Sequence, residues 1–150
     1  MNISRASDYA IRGLVYMAKK PAGTVCFVKD IAKNTNSPAS FMSKIFQTLA
    51  KSGIVHSFIG TKGGFTFNIQ PENITIKMVV EIIDGPIVLN RCVIDKSSCQ
   101  NLDNCDMHFM WVDIQKMLSK ALSSYSIADF SGLETRRKEF EKWADSLFRT

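Results

Sequence analysis

The chain of 150 residues is 45% hydrophobic and carries a formal charge of +5, which suits one ordinary core burying roughly 70% of the unfolded surface. No apolar run reaches the length of a membrane span, and the start Met1-Asn2-Ile3-Ser4-Arg5 lacks the apolar stretch and cleavage pattern of a signal peptide, so a cytoplasmic protein is expected. In a reducing cytosol its four cysteines argue against structural disulfides and, where clustered, for metal or redox chemistry.

Ile3, Ala6, Ala10, Gly13, Leu14 and Met17 recur at steps of three and four before Lys19-Lys20-Pro21, which predicts a first helix over 3–19 with a cationic end and a breaker beyond it. Cys26, flanked by Val25, Phe27 and Val28, reads as a buried, inert thiol. Val28, Ile31 and Ala32 predict a short second helix. Beyond the polar link Asn34-Thr35-Asn36, Ser37-Pro38 offer an N-cap and a first-position proline for a third helix that runs to about Ser52 and stops at Gly53. Its apolar stripe is Met42, Ile45, Phe46 and Leu49, and its opposite face carries Ser40, Ser43, Lys44, Gln47 and Lys51.

The period then changes to two. Residues 54–59, the turn Gly60-Thr61-Lys62-Gly63-Gly64, and Phe65, Phe67 and Ile69 alternating with Thr66 and Asn68 predict a β-hairpin with a glycine-rich tip. Ile76, Val79, Val80 and Ile83 predict a helix over 75–84, closed by Gly85-Pro86. From near Asp106, Met107, Trp111, Ile114, Leu118, Ala121 and Tyr125 form a seam for helix-on-helix packing, within the chain's own core or against a second subunit. The expected divisions are a DNA-binding unit (1–84), a cysteine loop (85–105), a dimerisation helix (106–130) and a charged amphipathic tail (131–150) containing Leu133, Phe140, Trp143, Ala144 and Leu147 beside Arg136-Arg137-Lys138.

The order of two short helices and a hairpin is that of a winged helix-turn-helix, in a mainly α protein with one small hairpin. Charge agrees: residues 1–70 carry nine Lys and Arg against Asp8 and Asp30, while residues 71–150 carry ten against twelve acids. A basic half joined to a slightly acidic one fits a nucleic-acid-binding module attached to a regulatory or dimerising one. With the third helix in the major groove, Ser40, Ser43 and Gln47 are placed for base edges, Lys44 for guanine or phosphate, and Lys51 and Lys62 for phosphate. This half shows no nucleophile-base pairing, so no enzyme is expected.

Cys92, Cys99 and Cys105 lie in a fourteen-residue polar segment, and His108 follows one helical turn later. Val93, Ile94 and Leu102 are its only large apolar side chains, too few to order a loop of this length without another tie. Three thiolates and an imidazole suit tetrahedral zinc. The spacings of six and five residues lack the tight Cys-x-x-Cys pair of many structural zinc sites, and iron-sulfur clusters accept wider spacings. Spacing alone leaves zinc and iron-sulfur even.

Several motifs together carry a resemblance: Ser4-x-x-x-Asp8-Tyr9-Ala10-Ile11-Arg12-x-Leu14, the helix-turn-helix, the Gly60-x-x-Gly63-Gly64 wing tip, three cysteines ahead of a long helix, and Ser126-Ile127-Ala128-Asp129-Phe130. In these the chain resembles the Rrf-two family of bacterial transcription regulators over about residues 1–130. The resemblance implies a homodimer on a palindromic operator, with an iron-sulfur cluster on Cys92, Cys99 and Cys105. In a branch similar to the cluster regulator, a 2Fe-2S cluster is completed by the histidine of Cys-x-x-His-x-x-Trp, here Cys105, His108 and Trp111. In a branch similar to the nitric-oxide-sensing repressor, a 4Fe-4S cluster takes an aspartate from the first helix of the other subunit, here Asp8. Both residues are present, so the fourth ligand stays open. Two positions depart from the pattern: Ile59 stands where many wings have arginine, and Ser43 where the cluster regulator has an operator-discriminating glutamate.

The expected function is operator binding controlled by a cluster that senses nitric oxide, redox or iron-sulfur status. The rivals are a cluster-free or zinc-stabilised regulator of the same fold, the former answering to a protein or small-molecule partner, and a redox or electron-transfer protein that needs no operator.

Overall fold

The computed structural model describes residues 3–60 and 63–132. Residues 133–150 of the expected charged amphipathic tail, and Lys62, lie outside the described residues. Helix α1 (Arg5–Ala18) starts at Ser4, whose hydroxyl accepts from the Ser7 amide at 3.1 Å, satisfying one of the donors a helix start leaves orphaned. Ala10, Leu14 and Met17 face inward from it and are buried. Gly13 brings α1 hard against the rest of the core: a Cβ there would lie 2.7 Å from the Phe46 ring.

Helix α2 (Val28–Thr35) ends at Asn36, which adopts the left-handed conformation (φ 52°, ψ 49°) that asparagine tolerates better than most residues. Helix α3 (Ala39–Lys51) has Pro38, not Ser37, at its N-cap position. The Ser37 hydroxyl is instead paired at 2.8 Å with that of buried Thr35, so the turn between α2 and α3 uses the side chain expected to cap the helix. Met42, Ile45, Phe46 and Leu49 are all buried, as the spacing predicts.

Strands β1 (Val55–Phe58) and β2 (Gly64–Phe67) pair antiparallel with Val55 opposite Phe67 and Phe58 opposite Gly64. Cys26 joins the far edge of β2 by bonds of 2.8 and 2.9 Å with Phe65. Glycine is needed at position 64 because a Cβ would meet the Cys26 carbonyl oxygen at 2.6 Å. Cys26 is buried, as expected, and burial pushes its thiol up despite the nearby Lys20. The hairpin thereby closes the core over α3, with Phe65 and Phe46 ring centroids 5.2 Å apart.

Helix α4 (Ile76–Asp84) is capped by Thr75, whose hydroxyl accepts from the Met78 amide at 3.2 Å, and ends at Gly85 with φ 85°. Helix α5 (His108–Ser123) is the longest of the described helices but shorter than the predicted 106–130. The chain leaves it because Ile76 donates to the Tyr125 carbonyl at 2.9 Å and Ile127 to that of Ile74 at 2.8 Å. That backbone pairing buries Ile127 completely, which a continued helix would forgo. No helix among the described residues is long and apolar enough to cross a membrane.

Candidate nucleic-acid interface and thiol loop

The apolar stripe of α3 fixes its rotation, so the other face is turned outward by packing rather than by chance. Ser40, Lys44, Gln47 and Lys51 are exposed and Ser43 is half-buried. All five thus share one accessible helix face of the basic N-terminal unit. At the wing, β1 delivers Phe58 and then Ile59, which is 100% exposed.

Residues 85–107 contain three single-turn 3-10 segments, Arg91–Val93, Lys96–Ser98 and Leu102–Asn104. Cys92 sits inside the first, Cys99 closes the second and Cys105 closes the third. All three are free thiols and half-buried. The loop is better tied than its lack of apolar residues predicts. The Asp95 carboxylate accepts from the Ser97 hydroxyl at 2.6 Å and the Ser97 amide at 2.9 Å, and the Ser98 hydroxyl donates to the Asp95 carbonyl at 2.7 Å. Those bonds from Ser97 hold the exposed Asp95 carboxyl below its usual range.

His108 opens α5, its amide donating to the Cys105 carbonyl at 3.2 Å. Its Nδ1 is the buried side-chain N or O atom left without a hydrogen-bond partner among the described residues, a costly position unless something fills it. Asp8, in the first turn of α1, is engaged by Arg12 at 3.0 Å. Among the described residues no three His, Cys, Asp or Glu side chains converge as a metal-holding group, since the thiols stand on separate turns. The donor set fits an iron-sulfur or zinc centre in chemistry and in the orphaned imidazole nitrogen. The folded single chain does not gather it.

A second polar cluster, invisible in the sequence pattern, joins α1 to α4. Asp84 accepts from the Ser4 amide at 3.0 Å, the Ser4 hydroxyl at 2.5 Å and the Ser7 hydroxyl at 2.8 Å. Burial at this junction opposes the charged carboxylate, but the hydrogen bonds from Ser4 and Ser7 outweigh it and hold Asp84 below its ordinary range. A depressed folded-state value stabilises above the unfolded one, near pH 3.9, and that contribution is lost as the pH falls through the folded value. Asp84→Asn is therefore expected to be less stable than wild type at pH 7, with the difference shrinking below about pH 4 in urea titrations.

The model of the Rrf2 family, described as an iron-dependent transcriptional regulator, matches residues 3–132. A putative HTH-type transcriptional regulator of Aquifex aeolicus is 28% identical over 138 residues, covering 91% of this chain and 95% of that one. The HTH-type transcriptional regulator IscR of Aliivibrio salmonicida is 25% identical over 129 residues, covering 86% and 76%. Among solved structures, CymR, the global cysteine regulator of B. subtilis, superposes with a TM-score of 0.71 at 22% identity over 87% of this chain and 96% of its own. T. potens IscR gives 0.64 at 18% over 86% and 85%. These structures show the winged helix-turn-helix fold, and the matched proteins are transcriptional regulators, not enzymes. With the family match spanning α1 to the end of the described residues, the chain belongs to the Rrf2 family of DNA-binding transcriptional regulators.

Proposed function

We propose that this regulator binds a palindromic operator as a homodimer and that an iron-sulfur cluster on the 85–105 loop sets its operator affinity. The observation that carries the reading is the loop itself: three free, half-buried thiols lead straight into His108, whose buried Nδ1 has no partner among the described residues. Cys92, Cys99 and Cys105 would hold the cluster. His108 would complete a 2Fe-2S centre, or Asp8 of the partner subunit a 4Fe-4S centre. The orphaned nitrogen favours His108, while the Asp8–Arg12 pair is exposed enough that giving it up costs little. When bound, the cluster supplies one-electron redox chemistry and an iron whose non-thiolate ligand leaves it open to nitric oxide or oxygen.

The remaining roles fall to this chain's own residues. On α3, Ser40, Ser43 and Gln47 read base edges, Lys44 reaches guanine or phosphate, and Lys51, with Lys62 of the wing, holds phosphates. A dimer is supported by α5, none of whose residues is buried. Phe109 is 69% and Met117 64% exposed, while Trp111, Ile114 and Leu118 are only half-buried. So much unburied apolar surface on one helix is what a second copy would cover. A dimer would also set the two α3 helices against successive half-sites.

Protein purified without oxygen is expected to be brown with visible charge-transfer absorption, and Cys99→Ala to lose the colour. Colourless, zinc-loaded wild type from an iron-replete preparation would overturn the cluster. A cluster-free regulator, answering to a protein or small molecule, is the second reading, favoured by the unconverged donors and by the fold shared with a cysteine regulator. It requires that replacing all three loop cysteines by alanine leave operator binding and its regulation intact.

A further inference from the structure

We propose that residues 84–89 form a joint through which the conformation of the cysteine loop is transmitted to the first turn of α1, with Asp84 as its positioning residue. The inference rests on the reading of that loop as the sensor. Asp84 is the last residue of α4, where a negative charge faces the negative end of its own helix dipole. It is held there by the opposite end of another helix: the Ser4 amide and hydroxyl and the Ser7 hydroxyl all donate to its carboxylate. Ser7 is wholly buried while Asp84 is exposed, so the clasp sits at the edge of the packed interior, its Ser7 bond half-buried and its two Ser4 bonds at the surface.

The loop leaves directly from the clasp. Gly85, at φ 85°, turns the chain, and the root that follows is gripped by a single side chain of α5. Gln115 Nε2 donates to the Ile87 carbonyl at 2.7 Å while its Oε1 accepts from the Leu89 amide at 2.9 Å. An amide side chain here takes the place of a neighbouring strand, satisfying backbone groups that would otherwise go unpaired. The loop is therefore fixed to α5 at both ends, through Gln115 at its root and through His108 at its exit. Its route back to α1 is the short segment from Gly85 to Asp84.

The segment also has room to move. A cleft of about 190 Å³ opens beside it, lined by Ile3, Val80, Val88 and Leu122 among others. Drawing the three thiols together requires the loop to change its span, and because its exit runs on covalently into α5 while its root is held by only the two Gln115 hydrogen bonds, the change falls on the root. A shift there loads the Asp84 clasp, hence the first turn of α1, which carries Asp8. Further along α1, Gly13 lies against Phe46 of α3, so the DNA-reading helix packs on the element that the clasp positions. Discrete repacking of such contacts, rather than elastic bending, is how small local shifts spread.

The test perturbs the loop without needing a cluster. N-ethylmaleimide is added to the reduced protein, in which Cys26 is buried and the loop thiols are half-buried, and amide exchange is followed at residues 5–9 and in α3. In wild type, alkylation is expected to change exchange in the first turn of α1 by about fivefold or more, the lower end of ordinary coupling. In Asp84→Ala the loop should take up the same adducts while α1 no longer responds, and Asp84→Asn, which keeps one acceptor oxygen, should restore part of the response. Gln115→Met, which releases the root and leaves the clasp, should lose the response as well and serves if Asp84→Ala does not fold. An unresponsive α1 in alkylated wild type, or a full response in Asp84→Ala or Gln115→Met, would overturn the joint. Colourless iron-replete protein would sink the cluster and leave this result standing.

Discussion

Raising the salt from about 50 to about 200 mM is expected to weaken operator binding by roughly 10³- to 10⁵-fold, the response of a protein making six to ten phosphate contacts. The physical basis is counterion release. Nine of the nineteen basic residues fall in the first 70 positions against only two acids, and Lys44 and Lys51 stand exposed on α3. Fluorescence anisotropy over a salt series gives the slope directly. Lys44→Ala and Lys51→Ala should each lower it by about 1, whereas Gln47→Ala should leave the slope unchanged and alter the preferred sequence. Affinity independent of salt would remove α3 and the basic unit from the interface.

Phe46→Ala is expected to cost about 3–5 kcal/mol of stability, a large share of the roughly 5–15 kcal/mol that holds a typical domain folded. Phe46 is fully buried in α3, its ring faces that of Phe65 in the wing, and its edge fills the notch left by Gly13 in α1. Removing it opens a cavity bounded by three elements, of which Gly13 can supply no side chain to refill it. Urea denaturation should show a much lower midpoint with little change in slope. Because the same ring fixes how α3 sits on α1, operator affinity should fall even where the variant remains folded.

The winged helix-turn-helix unit was legible because its signals are periodic. The 3.6-residue stripe of Met42, Ile45, Phe46 and Leu49 both predicted α3 and fixed which of its residues face outward, and the change to alternation after Gly53 marked the wing. Errors arose where a local side-chain bond or a distant backbone pairing competed with the pattern. Ser37 has the chemistry of an N-cap, yet its hydroxyl is taken by Thr35. The seam of α5 continues to Tyr125 in sequence, yet pairing with residues 74–76 draws the chain out of the helix first. The 3-10 turn Lys96–Ser98 of the loop left no hydrophobic signature, because Asp95, Ser97 and Ser98 build it from short polar bonds.

The Asp84 clasp and the Gln115 grip were the least legible. Their partners lie 80, 77, 28 and 26 positions away along the chain, and an Asp before a Gly-Pro helix end looks like an ordinary terminus. The candidate ligands show the converse. Their residue types and order could be read from the sequence, while their convergence could not, since it depends on the span of a polar loop and, for Asp8, on a second subunit.

The central claim is that the state of the cysteine loop sets operator affinity. The direct measurement is anaerobic operator binding by one brown preparation before and after its iron is removed by a chelator, at constant salt. A change of about 5- to 150-fold, matching a coupling of roughly 1–3 kcal/mol, is the expected result, with Cys99→Ala fixed at the iron-free value. Identical affinities in the two states, or a Cys99→Ala protein that still responds, would contradict it.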